Sequence, residues 1–345
     1  MTSVLITHPR FVEHELPGHP ESPERMRAVW HSLKQAGITE QMTQMTPSPA
    51  SDEAILRAHS PDYLELLQRV SRDYAQQIVM LDQDTWLAPG SLQVARLAAG
   101  ACLQAVDAVL TGEADNALVV ARPPGHHACP GAAMGFCLFG NVAMAALHAC
   151  TVHGLDRVMV VDLDVHHGNG SQDILYSDER VGFFSIHQSP LYPGTGAALE
   201  TGAGPGNCYT ANIPLRAGHG DATYRALFES LLWPLARRWK PQCVLVSLGF
   251  DAHHADPLAN MRLTLAGYDW MVREVLALAQ DICDGRVVFA LEGGYQLEVL
   301  AHGVQNLAHR LLGEERLSDP FDNSSLRTRS DSQDVIERIR RIHAI

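Results

Sequence analysis

Short runs of β-branched and other apolar residues alternate along this chain with longer segments whose apolar residues have helical spacing. The runs predict strands at Ser3–Thr7, Ala117–Ala121, Arg157–Asp162, Val181–Ile186, Tyr209–Ile213, Cys243–Leu248 and Arg286–Leu291. The longer segments predict helices, among them Pro23–Ala36, Pro61–Gln76, Ser91–Leu110, Asn141–His153, Gly220–Lys240 and Leu265–Ile282. Nearly continuous apolar strands separated by helices are typical of a parallel sheet that is covered on both faces. The sequence therefore predicts an α/β fold.

The organisation of the chain favours a single domain over residues 1–345. No Pro-, Gly- or Ser-rich linker divides the sequence, and 46% apolar residues are enough for a large core. Residues 314–345 are predicted to form a polar segment and then a helix, because apolar residues recur there at helical spacing: Val335, Ile336, Ile339 and Ile342. This helix is expected to pack on the domain or on a neighbouring subunit, which leaves a homo-oligomer open.

Charge and cysteine content restrict the expected partners. The formal net charge of −13 disfavours nucleic acid, because phosphate binding requires a basic surface. The sequence has no uncharged apolar stretch of membrane-spanning length and no secretory leader, so no membrane partner is expected. Seven cysteines without a CxxC pair suggest neither a disulfide framework nor a cysteine-rich zinc site. The expected location is the cytoplasm.

Titratable residues follow four of the predicted strands, in the segments Arg122–His127, Asp162–His167, Asp251–Asp256 and Glu292–Tyr295. In open α/β sheets, ligands bind beyond the carboxyl ends of the strands. Asp164 and His166 are two residues apart, so their side chains leave an extended backbone on the same face. With Asp251 they would form a three-ligand site with an open position, which is typical of catalytic zinc. The alternative is that Asp164 and His166 only cap the next helix.

The adjacent residues His126 and His127 are candidates for acid–base chemistry beside such a metal. A carboxylate partner stabilises an imidazolium, whereas an amide partner orients a ring without adding charge. If Asp162 supports one histidine and Asn169 the other, one ring would be cationic and one neutral. Only the neutral ring can take a proton from water. Tyr295 follows two glycines that permit close approach of a ligand, and its phenol could stabilise charge on a carbonyl oxygen.

The chain resembles the histone deacetylase superfamily of zinc-dependent deacetylases, with its bacterial histone-deacetylase-like and acetylpolyamine amidohydrolase relatives. Six motifs in the family's order carry the resemblance: RPPGHHA (122–128), GFC (135–137), DLDVHHGNG (162–170), YPGTG (192–196), GFDAHHADPL (249–258) and EGGY (292–295). The resemblance implies an arginase-like three-layer α/β/α domain with a mainly parallel, eight-stranded sheet. Asn169 and the Gly-Phe-Asp that ends at Asp251 point to a class II-like member. Cys129 departs from the acidic residue expected of class II members.

The resemblance also implies site residues at the matching positions. The zinc ligands would be Asp164, His166 and Asp251, and the catalytic group would comprise His126, His127, Tyr295, Asp162 and Asn169. The substrate-binding residues, in and around a narrow tunnel with Phe136 and Tyr192 as its aromatic walls, would be Gly135, Phe136, Tyr192, Leu258, Gly293 and Asp84. A structural potassium ion would be bound by Asp162, Asp164, His166, Ser185 and Ile186. A second potassium site would involve Leu175, Asp178, Val181 and Tyr209.

The reaction implied is hydrolysis of an acyl group, usually acetyl, from lysine side chains of peptides or proteins. An acylated polyamine is the alternative substrate; Leu258, where a polyamine-selective relative carries Glu, favours lysine, but Asp82 and Asp84 could bind a distal amine. Asp251–Asp256 also resembles the Asp-Ala-His-x-Asp pattern of arginase, which would indicate a ureohydrolase with two manganese ions. A binding module without activity is the last alternative.

Overall fold

The strands of the protein form one large parallel sheet and one small hairpin. The computed structural model describes residues 2–345, and within them the strands are β1 (Ser3–Ile6), β2 (Thr43–Met45), β3 (Val79–Met80), β4 (Trp86–Leu87), β5 (Asn116–Val119), β6 (Val158–Asp162), β7 (Val181–Gln188), β8 (Thr210–Leu215), β9 (Val244–Leu248) and β10 (Val287–Leu291). Eight of them form one sheet in the order β2-β1-β5-β10-β9-β6-β7-β8, and every pairing in it is parallel. The short strands β3 and β4 pair antiparallel. The predicted α/β fold with a mainly parallel sheet of eight strands is confirmed.

The helices follow the strands in the alternation that the sequence predicts. They are α1 (Pro23–Gln35), α2 (Ile38–Gln41), α3 (Asp52–Leu56), α4 (Pro61–Asp73), α5 (Ser91–Leu110), α6 (Asn141–Val152), α7 (Asn169–Leu175), α8 (Asp221–Leu227), α9 (Trp233–Trp239), α10 (Leu265–Cys283), α11 (Leu297–Leu311) and α12 (Gln333–His343). Helix α5 packs on β5 and β10, and α6 packs on β6 and β9. Every residue of β6, β9 and β10 is buried, as expected of strands covered on both faces.

Strand β2 and the segment Gly220–Lys240 differ from the sequence expectation, whereas helix α12 forms where it was expected. Strand β2, with the sequence TQM, is a mostly exposed edge strand, so no apolar run marks it. The helix predicted over Gly220–Lys240 is interrupted by a π-helical turn at Phe228–Leu232, just before Pro234. Proline has no backbone N–H and cannot continue the regular hydrogen-bond ladder, which accounts for the irregular turn. Helix α12 packs on β8 through buried Ile336 and Ile339.

Helix α5 is the longest apolar helix in residues 2–345. By length and hydropathy it could cross a membrane, and it is the one helix of the described chain that passes this test. It carries Arg96 and Asp107, and 78% of its apolar window is buried inside the protein. This burial is that of a core helix in an α/β fold.

The sheet topology brings the sequence motifs together. Strands β5, β10, β9 and β6 are consecutive neighbours at the centre of the sheet. Their carboxyl ends lead into the four segments that carry the titratable residues. The predicted convergence at one edge of the sheet is therefore what the strand order produces.

Candidate active site and metal centre

Asp164, His166 and Asp251 converge beyond the ends of β6 and β9. The Nδ1 atom of His166 lies 3.1 Å from Oδ1 of Asp164 and 3.2 Å from Oδ2 of Asp251. One ligand atom from each residue lies within 4.8 Å of the other two, and all three residues are buried. Ligand atoms about 2.0–2.2 Å from a tetrahedral zinc ion are about 3.3–3.6 Å apart, and the two separations from His166 are close to this range, so the donor set is compatible with such an ion.

Main-chain N–H groups hold the two carboxylates in place. Val165 N donates to Oδ1 of Asp251 at 2.9 Å, and Gly293 N donates to Oδ2 of Asp164 at 2.8 Å. A Cβ atom at Gly293 would lie 2.2 Å from Oδ2 of Asp251, so only glycine fits there. Gly293, one of the expected substrate-binding residues, lies against the candidate metal ligands Asp164 and Asp251 and does not line the cavity described below.

The electrostatic surroundings of Asp164, His166 and Asp251 favour a bound positive charge. Burial opposes the charge of His166, but hydrogen bonds to Asp164 and Asp251 raise its pKa to about 10. Burial raises the pKa of Asp251 to about 7, and the neighbouring charge of Asp164 adds to the rise. Two buried carboxylates thus share a single imidazolium, and a divalent cation could replace its proton.

The two adjacent histidines have different partners, as the sequence analysis expected. Nδ1 of His126 lies 3.1 Å from Oδ2 of Asp162, and Nδ1 of His127 lies 2.8 Å from Oδ1 of Asn169. Burial opposes the charge of His126, but Asp164 and Asp162 raise its pKa to about 10. Burial and the charges of His126 and His166 lower the pKa of His127 well below 6.5. His126 is therefore the cationic member, and His127 is the neutral member that can accept a proton.

A cavity of about 240 Å³ leads to this group. It is lined by Asp84, His127, Gly135, Phe136, His166, Leu191, Tyr192, Leu258 and Tyr295. The Tyr192 ring meets His127 edge-on at 5.1 Å, and the Phe136 ring meets Tyr295 edge-on at 5.9 Å. Five of the six expected substrate-binding residues line the cavity, and Gly293 is the exception. Gly135 has a φ of 55°, and a Cβ there would lie 2.3 Å from the His127 ring.

The residues expected at the two potassium sites lie at different ends of β7, with Ser185 and Ile186 towards its carboxyl end and Val181 at its amino end. Asp162 and Ser185 are partners in the register of β6 and β7, and both are fully buried. At the second site the carboxylate of Asp178 is held by Arg180, with Oδ2 of Asp178 2.6 Å from Nη2 of Arg180.

Several residues that support the site were not singled out from the sequence. Oε2 of Glu292 accepts from Gly125 N at 2.7 Å, and Oδ2 of Asp256 accepts from Tyr295 N at 2.7 Å. Nε of Arg25 donates to the Gly294 carbonyl at 2.8 Å, and its guanidinium lies 5.2 Å from the centre of the Tyr295 ring. Glu292 and Asp256 stand within the quoted motifs. Arg25 lies on helix α1, and the sequence does not indicate that an arginine there is buried.

A second group with metal-ligand chemistry lies on helices α5 and α6. Nε2 of His148 and Nε2 of His153 each lie 2.7 Å from Oδ1 of Asp107. Arg57 donates to Nδ1 of His148 at 3.2 Å, so the His148 hydrogen sits on Nε2 and points at Asp107. Hydrogen bonds within the chain account for this group.

Comparison with known proteins identifies the family of the chain. The model of the histone deacetylase domain matches residues 19–311. The histone deacetylase-like amidohydrolase of Pseudomonas aeruginosa is 42% identical, over 81% of this chain and 73% of that protein. The human polyamine deacetylase HDAC10 is 41% identical, over 85% of this chain and 45% of that protein. The crystal structure of the HDA15 HD domain superposes with a TM-score of 0.90 at 32% identity, over 99% of this chain and 94% of that one.

The fold and the matched domain define a hydrolase that acts on amides. The chain belongs to the histone deacetylase family, and its function is that of a deacetylase. The family is generally zinc-dependent, and its members act on acetylated lysine or on acetylated polyamines.

Proposed function

We propose that this protein is a zinc-dependent deacetylase of acyl-lysine side chains. The observation that carries the proposal is the convergence of Asp164, His166 and Asp251 at a cavity whose wall includes a neutral histidine and a tyrosine. These three residues would hold the zinc ion. Bound there, zinc supplies Lewis acidity to the scissile carbonyl and to the attacking water.

The remaining groups divide the proton chemistry between them. His127, kept neutral by burial and by its cationic neighbours, accepts a proton from the attacking water and delivers one to the leaving amine. His126, paired with Asp162, stays protonated and stabilises developing negative charge. Tyr295 donates a hydrogen bond to the oxyanion, and Asn169 orients His127.

The lysine preference is supported by the shape and chemistry of the cavity mouth. Phe136 and Tyr192 place aromatic rings along the cavity, and Leu258 adds an apolar side chain. Such walls suit the aliphatic stem of an extended acyl-lysine. An apolar residue at position 258 provides no partner for the charged amine of a polyamine.

An acylated polyamine is the second candidate substrate, and the position of Asp84 is compatible with it. Its carboxylate lines the same cavity and could bind a distal ammonium group. The similarity to the human polyamine deacetylase HDAC10 adds support. Asp84 serves either substrate, because it could equally accept the main-chain N–H groups of a peptide.

A direct comparison of substrates tests the proposal. The zinc-loaded protein is assayed on acetyl-lysine peptides, acetylspermidine and acetylputrescine, with and without chelator. We expect chelator-sensitive hydrolysis with higher kcat/KM for the peptides. Leu258→Glu should then raise the polyamine-to-peptide ratio, and Leu258→Met is the matched control. Faster hydrolysis of the polyamines by the unchanged protein would favour the second candidate, and no hydrolysis of either class would contradict a deacetylase.

A structural potassium ion beside the zinc is part of the proposal. Its ligands would be Asp162, Asp164, His166, Ser185 and Ile186, supported by the pairing of buried Asp162 and Ser185 across neighbouring strands. A second potassium ion would be held at Leu175, Asp178, Val181 and Tyr209, chiefly by carbonyl oxygens, which can replace the hydration shell of potassium.

Two other readings receive less support. A ureohydrolase with two manganese ions needs roughly twice the ligands of a one-metal site, but in residues 2–345 the only group with metal-ligand spacing at the cavity is Asp164, His166 and Asp251. A pure binding module has no use for a neutral histidine beside a group of candidate metal ligands.

We also propose that residues 1–345 form one deacetylase domain, because a single buried apolar cluster extends from Val4 to Ile339.

A further inference from the structure

The side-chain amide of Asn169 lies between His127 and two sulfur atoms. Its Oδ1 lies 2.8 Å from Nδ1 of His127. Its Nδ2 lies 3.2 Å from Sγ of Cys129 and 3.2 Å from Sδ of Met134. Asn169 is buried, with 6% of its surface exposed, so the orientation of its amide is determined by these contacts.

The chemistry of sulfur decides which way this amide faces. A thioether has no hydrogen and can only accept, so the Asn169 atom beside Met134 must be the NH2 group. The carbonyl oxygen then faces His127, and because it too can only accept, Nδ1 of His127 must carry the hydrogen. In a neutral ring this leaves Nε2 without a hydrogen, and His127 lines the cavity. If the amide were turned over, its oxygen would face the Met134 sulfur, which is also only an acceptor, and its NH2 group would require His127 to be the Nε2–H tautomer.

We propose that Cys129 and Met134 are positioning residues that hold the Asn169 amide in this orientation and so select the tautomer of His127 that can accept a proton. The proposal rests on the proposed function, in which His127 is the general base. It gives a role to Cys129, which lies just past the RPPGHHA motif and departs from the acidic residue expected in class II members. A carboxylate and a thiol sulfur share the ability to accept a hydrogen bond, and accepting is what this position requires.

The surroundings of Cys129 keep its sulfur neutral. Burial and the nearby carboxylate of Asp173 raise the pKa of the thiol to about 12. The Sγ atom lies 3.5 Å from Oδ2 of Asp173, so the thiol hydrogen can point at that carboxylate while the sulfur accepts from Asn169. Cys129 therefore accepts a hydrogen bond without placing a second charge beside His127, in contrast to a carboxylate.

A double-variant comparison tests the proposal. Cys129→Ala with Met134→Leu removes both acceptors at nearly constant volume, and we expect kcat on an acetyl-lysine peptide to fall about tenfold with KM within about twofold, since two neutral hydrogen bonds are lost. Cys129→Ser, which keeps an acceptor, should stay within about threefold of the unchanged protein. In an Asn169→Asp background there is no amide to orient, so the same double change should cost less than about twofold. An equal loss in both backgrounds would overturn the proposal and indicate packing alone.

A spectroscopic measurement gives a readout that does not depend on turnover. In protein labelled with 15N-histidine, the His127 signals are identified by their loss in His127→Ala. The unchanged protein should show the Nδ1–H tautomer alone, and the double variant should show a population of the Nε2–H tautomer. Identical tautomers in both proteins would refute the proposal. Failure of the proposed function would look different, because the unchanged protein itself would then not hydrolyse acetyl-lysine.

Discussion

Two groups of buried charged residues lie close to each other in this protein, and they differ in how their charges are balanced. The metal-ligand group consists of Asp164, His166 and Asp251. The Glu21 cluster consists of Glu21, Arg25 and Arg122, whose side chains are all 0% exposed. In the metal-ligand group two carboxylates converge on one imidazole, so negative charge is in excess. In the Glu21 cluster two guanidinium groups share one carboxylate, and their remaining donors bind carbonyl oxygens.

The Glu21 cluster satisfies its own charges. Arg122 donates to Oε1 and Oε2 of Glu21, both at 2.6 Å, and to the Phe11 carbonyl at 2.7 Å. Arg25 bonds Glu21 at 3.0 Å and the carbonyls of Glu292 and Gly294. Burial raises the pKa of Glu21, but the charges of the two arginines outweigh it and lower the pKa to about 2. A buried cluster completed by the chain itself is structural, whereas one with unbalanced charge at a cavity calls for a ligand.

The largest expected effect is the loss of activity when a metal ligand is removed. Asp251→Ala should lower kcat/KM on acetyl-lysine peptides by about 10³-fold or more, because the Lewis acid loses a ligand. In the metal-free state the variant should differ little from the unchanged protein in stability to urea, because relief of the repulsion between Asp251 and Asp164 offsets the lost contacts with Val165 N and His166. The control is the exposed residue Asp281, whose change to Ala should leave activity unaltered. If the metal-free Asp251→Ala protein were clearly less stable, the metal-ligand group would have a structural role like that of the Glu21 cluster.

The Glu21 cluster should respond in the opposite way. Arg122→Met leaves Glu21 with one partner in a buried site and should lower the free energy of unfolding by about 3–5 kcal/mol. Arg96→Met breaks a partly exposed pair with Asp52 and is the matched control, with an expected loss of about 1 kcal/mol or less. Urea denaturation of both variants measures the difference. Equal losses would mean that burial does not distinguish the two ion pairs.

Acid should weaken the Glu21 cluster over a defined pH range. The pKa of Glu21 is lowered in the folded protein from 4.5 to about 2, so its stabilising contribution is complete above pH 4.5. It is lost as the pH falls from 4.5 towards 2, and it amounts to about 3 kcal/mol. In Glu21→Gln this part of the acid dependence should be missing from the urea midpoint measured against pH. Parallel curves for the two proteins would show that Glu21 does not titrate in this way.

The smallest of these effects concerns Tyr295, which Arg25 connects to the Glu21 cluster. Tyr295→Phe removes a hydrogen-bond donor to the oxyanion and should lower kcat by about 10²-fold. Zinc content and stability should not change, because the phenol is neither a metal ligand nor a member of the cluster. Turnover close to that of the unchanged protein would remove Tyr295 from the mechanism.

The sequence predicts most of the sheet because burial on both faces demands apolar strands. Strand β2 cannot be predicted from apolar burial, because its residues Thr43 and Gln44 are exposed and its pairing depends on β1. Helix α11 was likewise not among the predicted segments, although Val299, Leu300 and Val304 form a buried stripe on it.

The parts of the site that can be predicted from the sequence are those in which several functional residues directly follow one strand. The groups at Asp162–His166 and at His126–His127 contact the partners that their spacing suggests. Glu21 and Arg25 could not be found in this way, because charged residues in a sequence ordinarily indicate a solvated surface. Their burial depends on Arg122, about 100 positions further along the chain. The contacts of Cys129 and Met134 with Asn169 similarly depend on how two loops fold together.

Transition-metal stoichiometry tests the central claim most directly. Protein stripped with chelator is titrated with zinc, and bound metal per chain is measured for the unchanged protein, Asp251→Ala, His166→Ala and Arg122→Met. We expect one tightly bound zinc in the unchanged protein and in folded Arg122→Met, and none in the two ligand variants. A tight zinc ion that persists in both Asp251→Ala and His166→Ala would contradict the claim that these residues hold the catalytic metal.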